Sequence, residues 1–266
     1  MKVKPNNNSA NCIAPNLIYG CYGNCLNTYC YMGRYNQKVY IYNERADKIF
    51  NAVSKWAENY NKEPDQQDPK YIMVDIACNT DLVLMQKFVD LEYYLKLYDN
   101  HPELNTTMAT KYPGLLLLDV NHFNKKPRVR VSLMPQAYSD ILEPKMQSIS
   151  SRIKDINRLE ALGWEVHINY SPAIIRKDMI PQYHYLFKEV KAVAGEHKCE
   201  VIFLTNHEFQ MQKANDKARE LMALSNQVKN NKGVMRYPLP LKHKAITMFK
   251  KEYSRHFNIN TIRYIF

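Results

Sequence analysis

Glycine is scarce in this sequence, with 7 among 266 residues. The two common glycine-rich phosphate-binding motifs, G-x-G-x-x-G and the Walker A string, are both absent from the chain. Nucleotide binding through a glycine-rich loop is therefore excluded. Apolar residues make up 45% and charged residues 24%, which is ordinary for a globular protein, and 12% aromatic residues exclude wholesale disorder.

Long apolar runs are also absent, since no stretch of about 18 apolar residues occurs. The sequence begins MKVKPNNNSANC, which has no apolar segment of the kind found in secretory signals. We therefore expect a soluble, cytoplasmic protein with no membrane partner. Although the chain has 6 cysteines, a framework of disulfides is not expected in that compartment.

Acidic residues are too few to balance the basic ones, because 37 Lys and Arg stand against 26 Asp and Glu, giving a formal charge of +11. Most of the excess follows residue 205, where 12 basic residues face 4 acidic ones among interleaved Tyr, Phe and His. Such a segment suits a polyanion, and nucleic acid is the first candidate. A solvated, lysine-rich surface without a partner explains the charge equally well.

Apolar patterns predict strands and helices that alternate along the chain. Predicted strands cover residues 16–20, 71–77, 106–110, 128–133, 165–170, 199–204 and 261–266. Predicted helices cover residues 44–60, 82–97, 144–162, 180–194, 209–229 and 243–256. About six such alternations indicate a parallel sheet, doubly wound or closed towards a barrel, with its site at the carboxyl ends of the strands.

Three cysteines lie close together after the first predicted strand. Cys21, Cys25 and Cys30 form the pattern C-x3-C-x4-C. Three close thiolates can hold three irons of a 4Fe–4S cluster and leave the fourth iron open to another ligand. Zinc is the alternative metal, but a structural zinc site needs four ligands, and Cys12 is the only further candidate nearby.

These cysteines stand in GCYGNC and TYCY, which resemble the cluster motif of the radical SAM superfamily and, within it, of the spore photoproduct lyase family. That family's motif is C-x3-C-x2-C, so this chain has two additional residues before Cys30. The resemblance continues, in order and at similar spacing from Pro15 to Phe266, through DIACNTD, TKYPGLLLLD, RVRVSL, LEPKMQSISSRI, NYSPAII, NHEF, GVMRYPLP and IRYIF. A match over this series of segments indicates a particular family far more specifically than three cysteines do.

The resemblance implies a radical SAM lyase that binds a 4Fe–4S cluster on the three cysteines and S-adenosyl-L-methionine on its open iron. In that family a 5'-deoxyadenosyl radical takes a hydrogen atom from the crosslink 5-thyminyl-5,6-dihydrothymine, which then separates into two thymines. Cys78 in ACNTD matches the family's hydrogen-atom donor. Tyr29 and Tyr31 flank Cys30 as the family's relay tyrosines flank its last cluster cysteine.

The resemblance also implies residues that bind the cofactor and the lesion. The implied cofactor-binding residues are Tyr31, Thr80, Lys111, Ser132 and Ser171. Lys111 matches a lysine that contacts the methionyl carboxylate, and Ser171 replaces an alanine that contacts the cofactor through its carbonyl. The implied lesion-binding residues are Arg236 and Tyr237, on an inserted β-hairpin, and Lys242 as a nearby lysine. Two prolines, Pro238 and Pro240, replace glycines that are usual in that hairpin.

Several further residues are interpreted as structural. Cys12 and Cys199 are isolated cysteines, and isolated cysteines are most often buried in a core. Arg152 and Glu143 match family positions around the helix that begins at LEP. Four histidines show no metal-ligand spacing along the sequence: His122, His184, His207 and His256.

We therefore expect an α/β fold, namely a partial (β/α)6 TIM-like radical SAM barrel with a C-terminal basic β-hairpin and helix extension. Residues 1–205 are expected to form the barrel, and residues 206–266 the DNA- and lesion-binding extension of the same domain. The expected reaction is cleavage of a thymine–thymine crosslink in DNA, fed by an electron donor such as flavodoxin or ferredoxin. Two alternatives remain open: a radical SAM enzyme that modifies another base or nucleotide, and a non-catalytic, zinc-containing nucleic-acid-binding protein.

Overall fold

A computed structural model describes residues 1–6, 8–23, 38–62, 68–78, 80–144, 146–207, 214–223 and 226–266. These residues divide into two compact units. The first unit contains Met1–Tyr22, Gln37–Val131 and Ile156–His167. The second unit contains Ser132–Asp155 and Ile168–Phe266.

Strands and helices alternate through most of the described residues. The strands are β1 (Lys4–Pro5), β2 (Cys12–Ile13), β3 (Ile18–Tyr19), β4 (Tyr40–Ile41), β5 (Ile72–Asp75), β6 (Leu104–Thr110), β7 (Arg128–Leu133), β8 (Glu165–Ala173), β9 (Cys199–Phe203), β10 (Asn206–His207), β11 (Val228–Lys229), β12 (Val234–Arg236) and β13 (Ile262–Ile265). The helices are α1 (Ala46–Ala57), α2 (Leu82–Met85), α3 (Leu91–Asp99), α4 (Gln136–Leu142), α5 (Ile149–Ala161), α6 (Met179–Val193), α7 (Asp216–Ala223) and α8 (Leu239–Tyr253).

The sheet of the first unit has the strand order β1-β2-β5-β6-β7. β1 is antiparallel to β2, whereas β2, β5, β6 and β7 run parallel to one another. Every residue of β5 and β7 is buried, as expected for parallel strands that are covered on both faces. Because these strands run in one direction, the loops that follow β5 and β6 leave from the same edge.

The second unit contains a parallel group and a small antiparallel sheet. β9 pairs in parallel with both β8 and β13. The antiparallel sheet has the order β10-β12-β11, and its β11–β12 pair is a hairpin. Gly233 has a φ of 73°, a left-handed conformation that glycine adopts without steric cost, and it closes the turn of this hairpin. The sequence prediction of a β-hairpin in the C-terminal segment is confirmed.

Aromatic side chains fill the core where α6 and α8 pack together in the second unit. The Phe187 ring lies at the centre of this cluster, with ring centroids 5.2 Å from Phe249, 5.2 Å from Tyr253 and 5.4 Å from Tyr170. All three contacts are edge-to-face, the arrangement that suits the quadrupoles of aromatic rings. This packing fixes α8 against α6 and β8.

The predicted first strand at residues 16–20 is not part of the parallel ladder in the structure. The parallel ladder begins instead at β2, and its pairing with β5 extends to Ala14, whose N–H donates to the Asp75 carbonyl at 2.9 Å. Pro15 has no N–H to donate, so the ladder ends before it. Ile18 and Tyr19 then pair antiparallel with β4.

The predicted helix at 82–97 is interrupted. Asp81 caps α2 and Asp90 caps α3 by accepting from the Tyr93 N–H at 2.9 Å, while Val89 between them is extended. Asp and Asn side chains favour such caps over helix interiors, and the continuous apolar pattern hid this break.

The predicted helix at 209–229 is correct only for α7, because Val228 and Lys229 form β11. Residues 209–213 and 224–225 of that prediction lie outside the described residues. The helix α4 was not predicted, and β8 continues three residues beyond the predicted end at Tyr170. The division of the chain at residue 205 stays a prediction. In the part of the chain that the structure describes, every helix is too short or too polar to cross a bilayer.

The aromatic cluster gives a test of the second unit's stability. Phe187→Ala is expected to lower the free energy of unfolding by about 3–5 kcal/mol, because it leaves a cavity among rings that cannot collapse. Tyr185→Ala is the matched control, since Tyr185 lies on the same helix but is 70% exposed, whereas Phe187 is 0% exposed. Urea unfolding followed by circular dichroism measures both variants. Equal losses in the two variants would show that the cluster does not determine stability.

Candidate functional site

Three of the predicted site residues lie at one edge of the sheet in the first unit. Cys78 and Thr80 are in the loop after β5, and Lys111 directly follows β6. β5 and β6 are parallel, with Asp75 opposite Thr107. Their carboxyl ends therefore deliver these residues to the same edge, which is where α/β folds build their active sites.

The loop that carries Cys78 is anchored at its start by Asp75. This buried carboxylate accepts from the Ala77 N–H at 3.0 Å and from Arg130 Nη2 at 2.9 Å. The Arg130 guanidinium is itself buried, so the two charges compensate each other. Cys78 is exposed, which leaves its thiol accessible to a bound molecule.

Thr80 connects this loop to the first cysteine of the motif. Its hydroxyl donates to the Gly20 carbonyl at 2.8 Å, and Gly20 directly precedes Cys21. Gly20 has a φ of 81°, so the chain turns there in a conformation that favours glycine. The hydrogen bond thus fixes the position from which the half-buried Cys21 begins the cysteine loop.

Asp81 joins the loop after β5 to the end of β6. Its carboxylate accepts from the Lys111 N–H at 2.8 Å, from the Thr110 hydroxyl at 2.9 Å and from the Leu84 N–H at 3.3 Å. Burial raises the pKa of the Asp81 carboxyl, while these hydrogen bonds and the Lys111 charge oppose the rise. The Lys111 ammonium nitrogen is shielded from solvent, so its charge acts in a weakly screened environment.

The described cysteines divide into two kinds, and none of them forms a disulfide. Cys12 and Cys199 are buried, and burial raises the pKa of each thiol to about 12, which disfavours the thiolate that a metal requires. Both are therefore structural. Cys21 and Cys78 reach the surface. The predicted ligands Cys25 and Cys30 and the predicted relay residues Tyr29 and Tyr31 lie outside the described residues.

In the second unit, Ser132 and Ser171 are both buried near the carboxyl ends of β7 and β8. Arg152 fixes the first of these ends, because its Nη1 donates to the Ser132 carbonyl at 3.1 Å. Its Nη2 donates to Glu143 Oε2 at 2.6 Å and its Nε to the Gln147 carbonyl at 3.0 Å. This fully buried ion pair gives Arg152 and Glu143 the structural role that the sequence suggested.

The hairpin separates two of its predicted lesion-binding residues. Arg236 is exposed, whereas Tyr237 is buried, accepts from the Ile175 N–H at 3.0 Å and packs its ring on Phe203. Lys242, in α8, is half-buried, and burial followed by the charge of Arg236 lowers its pKa. Two cations that repel each other across a surface are stabilised by an anion placed between them.

A pocket of about 710 Å³ lies beside the hairpin in the second unit, within the range of small-molecule sites. Its lining includes the apolar Met179, Leu241 and Met248 together with the charged Arg176, Asp178 and Lys244. Arg176 Nε donates to Asp178 Oδ1 at 3.0 Å, so the charge of Arg176 is paired within the pocket.

A family model gives the decisive comparison. The model described as "SPL: Spore photoproduct lyase" matches residues 1–226 of this chain, which is most of its length. The chain belongs to the spore photoproduct lyase family. No curated protein sequence matches it.

Solved structures of spore photoproduct lyase share the fold. A variant with bound AdoMet and dinucleoside spore photoproduct has a TM-score of 0.78 and 15% identity, covering 100% of this chain and 79% of that one. Spore photoproduct lyase complexed with dinucleoside spore photoproduct has a TM-score of 0.78 and 16% identity, with the same two coverages. At such low identity these structures establish the fold alone, and the α/β radical SAM fold expected from the sequence is confirmed.

Membership of the spore photoproduct lyase family makes this chain a radical SAM repair lyase, with a 4Fe–4S cluster and S-adenosylmethionine as cofactors. The described residues fit those groups. The half-buried Cys21 stands at an anchored turn, and the shielded Lys111 ammonium is suited to a carboxylate. The hypothesis of a non-catalytic zinc protein is not supported.

Sequence reasoning missed Asp81 as a site residue, although DIACNTD contains it. The capping role of Asp81 had a signal in the sequence, since an Asp directly before an apolar run is a common helix N-cap. Its second function, accepting from Thr110 and Lys111, depends on a contact across 29 and 30 residues of sequence. No local pattern reports such a contact.

The Thr80–Gly20 hydrogen bond predicts how well the cluster is retained. Thr80→Val removes the hydroxyl and is expected to speed cluster loss about fivefold, because one such bond contributes about 1 kcal/mol. The decay of absorbance near 400 nm, recorded anaerobically with a chelator, measures the loss. Thr80→Ser keeps the hydroxyl and serves as the control. Wild-type retention in the valine variant would show that this bond does not support the cysteine loop.

Proposed function

We propose that this chain cleaves a thymine–thymine crosslink in DNA, 5-thyminyl-5,6-dihydrothymine, back to two thymines. The observation that carries the proposal is the placement of three groups at one strand edge in the first unit. An exposed thiol, Cys78, and a shielded ammonium group, Lys111, share that edge with Thr80, which is bonded to the residue before Cys21. The solved relatives described above bind the same crosslink as a dinucleoside.

The cofactors are held by residues at the sheet edge and in the cysteine loop. Cys21, with Cys25 and Cys30, provides the thiolates for the cluster, and Lys111 pairs with the methionyl carboxylate. When bound, the reduced cluster and S-adenosylmethionine supply the hydrogen-abstraction chemistry that opens the crosslink. Thr80, Ser132, Ser171 and Tyr31 complete the proposed cofactor site.

Cys78 is proposed to return a hydrogen atom to the product thymine. A thiol suits this step because its S–H bond is weak enough to yield hydrogen to a carbon radical. Cys78 is exposed at the end of β5, so substrate can reach it. Tyr29 and Tyr31 are proposed to pass a hydrogen atom to the thiyl radical left on Cys78, which restores the thiol and moves the radical to tyrosine.

DNA is proposed to bind at the hairpin and the start of α8. Arg236 is exposed, and burial followed by the charge of Arg236 lowers the pKa of Lys242, so a phosphate between the two cations would relieve their repulsion. The buried Tyr237 supports this surface through its contacts with Ile175 and Phe203. A crosslinked pair stacks poorly, so extruding it from the duplex costs less than extruding intact bases.

The cluster needs a one-electron donor, and we propose a small redox protein such as flavodoxin or ferredoxin.

The reaction is tested with cluster-loaded protein, a reductant, S-adenosylmethionine and DNA irradiated in the dry state. Wild type is expected to remove the crosslink and release thymine products, which chromatography measures. Cys78→Ala is expected to reduce correct product at least tenfold while 5'-deoxyadenosine still forms, because only the return of the hydrogen atom is blocked. The 5'-deoxyadenosine signal is therefore the internal control for the cofactor machinery.

Two results would contradict parts of the proposal. If wild type forms 5'-deoxyadenosine but leaves the crosslink intact, the substrate is another base or nucleotide. If Cys78→Ala matches wild type in correct product, the hydrogen donor is another group.

The proposed DNA surface predicts a change in salt dependence. Arg236→Gln is expected to weaken binding to duplex DNA and to reduce the slope of log K against log salt by about one, since one phosphate contact is lost. Lys48→Gln is the matched control, because Lys48 is an exposed cation on α1 that is not among the proposed lesion-binding residues. Fluorescence anisotropy across a salt series gives both slopes. An unchanged slope for Arg236→Gln would remove this residue from the DNA surface.

A further inference from the structure

Two histidines and a glutamate that are distant in sequence meet on the second unit. His184 lies on α6, Glu252 lies near the end of α8, and His256 follows one turn later. His184 Nδ1 is 2.7 Å from Glu252 Oε1, and His256 Nε2 is 3.4 Å from the same oxygen. All three ligand atoms lie within 4.8 Å of one another.

The three side chains differ in their exposure to solvent. The Glu252 side chain is 3% exposed, His256 14% and His184 44%. A carboxylate is therefore held below the surface with one imidazole beside it, while the second imidazole, that of His184, is the most exposed of the three groups.

The second oxygen of Glu252 has a different partner. Arg255 Nη1 donates to Glu252 Oε2 at 2.7 Å. This contact orients the carboxylate and leaves Oε1 directed at the two imidazoles. Metal ligands are commonly oriented in this way by a hydrogen bond to their other oxygen or nitrogen.

The surrounding packing holds the three groups in place. The His256 ring contacts Phe187 and Phe257, and the His184 and His256 ring centroids are 5.1 Å apart. His256 Nε2 is buried without reaching hydrogen-bond geometry to Glu252. Two imidazole nitrogens and one carboxylate oxygen, on α6, α8 and the turn that follows α8, form a partly preorganised ligand set.

We propose that His184, Glu252 and His256 form a zinc site, with water as the fourth ligand. Two histidines and one glutamate are a known ligand set for Zn²⁺ with an open position, and mixed nitrogen and oxygen ligands favour Zn²⁺ over Mg²⁺ or Ca²⁺. The ion would tie the end of α8 to α6. The site uses none of the three motif cysteines and does not depend on the proposed reaction.

The test measures zinc bound by cluster-loaded protein, so that the loop cysteines are already occupied. Each protein is dialysed against Zn²⁺, and the metal is quantified by mass spectrometry. Wild type is expected to hold about one zinc per chain more than His184→Ala or His256→Ala. His243→Ala is the matched control, because His243 is an exposed histidine on the same helix, and it is expected to bind like wild type.

A second measurement separates binding from folding defects. At a hundredfold excess over Kd, Zn²⁺ is expected to raise the Tm of wild type and of His243→Ala by about 5 °C, and to leave that of His184→Ala unchanged. His184 is half exposed, so its alanine variant is expected to match wild type in the presence of a chelator. Equal zinc content in all four proteins, or an equal Tm rise in His184→Ala, would overturn the proposal.

Discussion

The carboxylate of Asp81 is the link on which the arrangement of the first unit depends. It accepts hydrogen bonds from the end of β6 and from the first turn of α2, so it joins two segments that only the parallel pairing brings together. Thr80, the residue before it, extends the connection to Gly20. Thr80 and Lys111 are thus held in place, and the turn that leads into Cys21 is anchored, by one short series of hydrogen bonds. Without the carboxylate, the donors of Thr110 and Lys111 would lose their acceptor, and each unmet buried donor costs about 1–3 kcal/mol.

In the second unit, a strand end is held in place by a buried cation rather than by a carboxylate. Arg152 is fully buried and satisfies the carbonyl of Ser132, at the strand end that is proposed to face the cofactor. Buried ion pairs contribute little net stability compared with apolar residues of the same volume. The pair formed by Arg152 and Glu143 is therefore better understood as a positioning device, which holds the backbone at Ser132 in one place.

Much of the fold was predictable, because apolar periodicity reports directly on long, buried elements. α1, β6, β7, β9 and α6 were all anticipated for this reason. Elements defined by tertiary context were not: β2 has only two residues, so it has no periodicity to detect. The same limit applies to the sites. The motifs indicated Cys78 and Lys111 as candidate site residues. No motif could indicate the buried hydrogen bond of Tyr237, whose partner is 62 residues away in sequence, or the contact of His184 with Glu252, which are 68 residues apart.

The helix α8 connects the two surfaces proposed for the second unit. Lys242 lies near its start and Glu252 near its end, ten residues apart, which is about 15 Å along a helix. The aromatic cluster around Phe187 packs this helix against α6. Glu252, a proposed metal ligand, therefore lies too far from Lys242 for one bound ion to contact both. Metal occupancy and phosphate contact are therefore separable by mutation, since no side chain takes part in both.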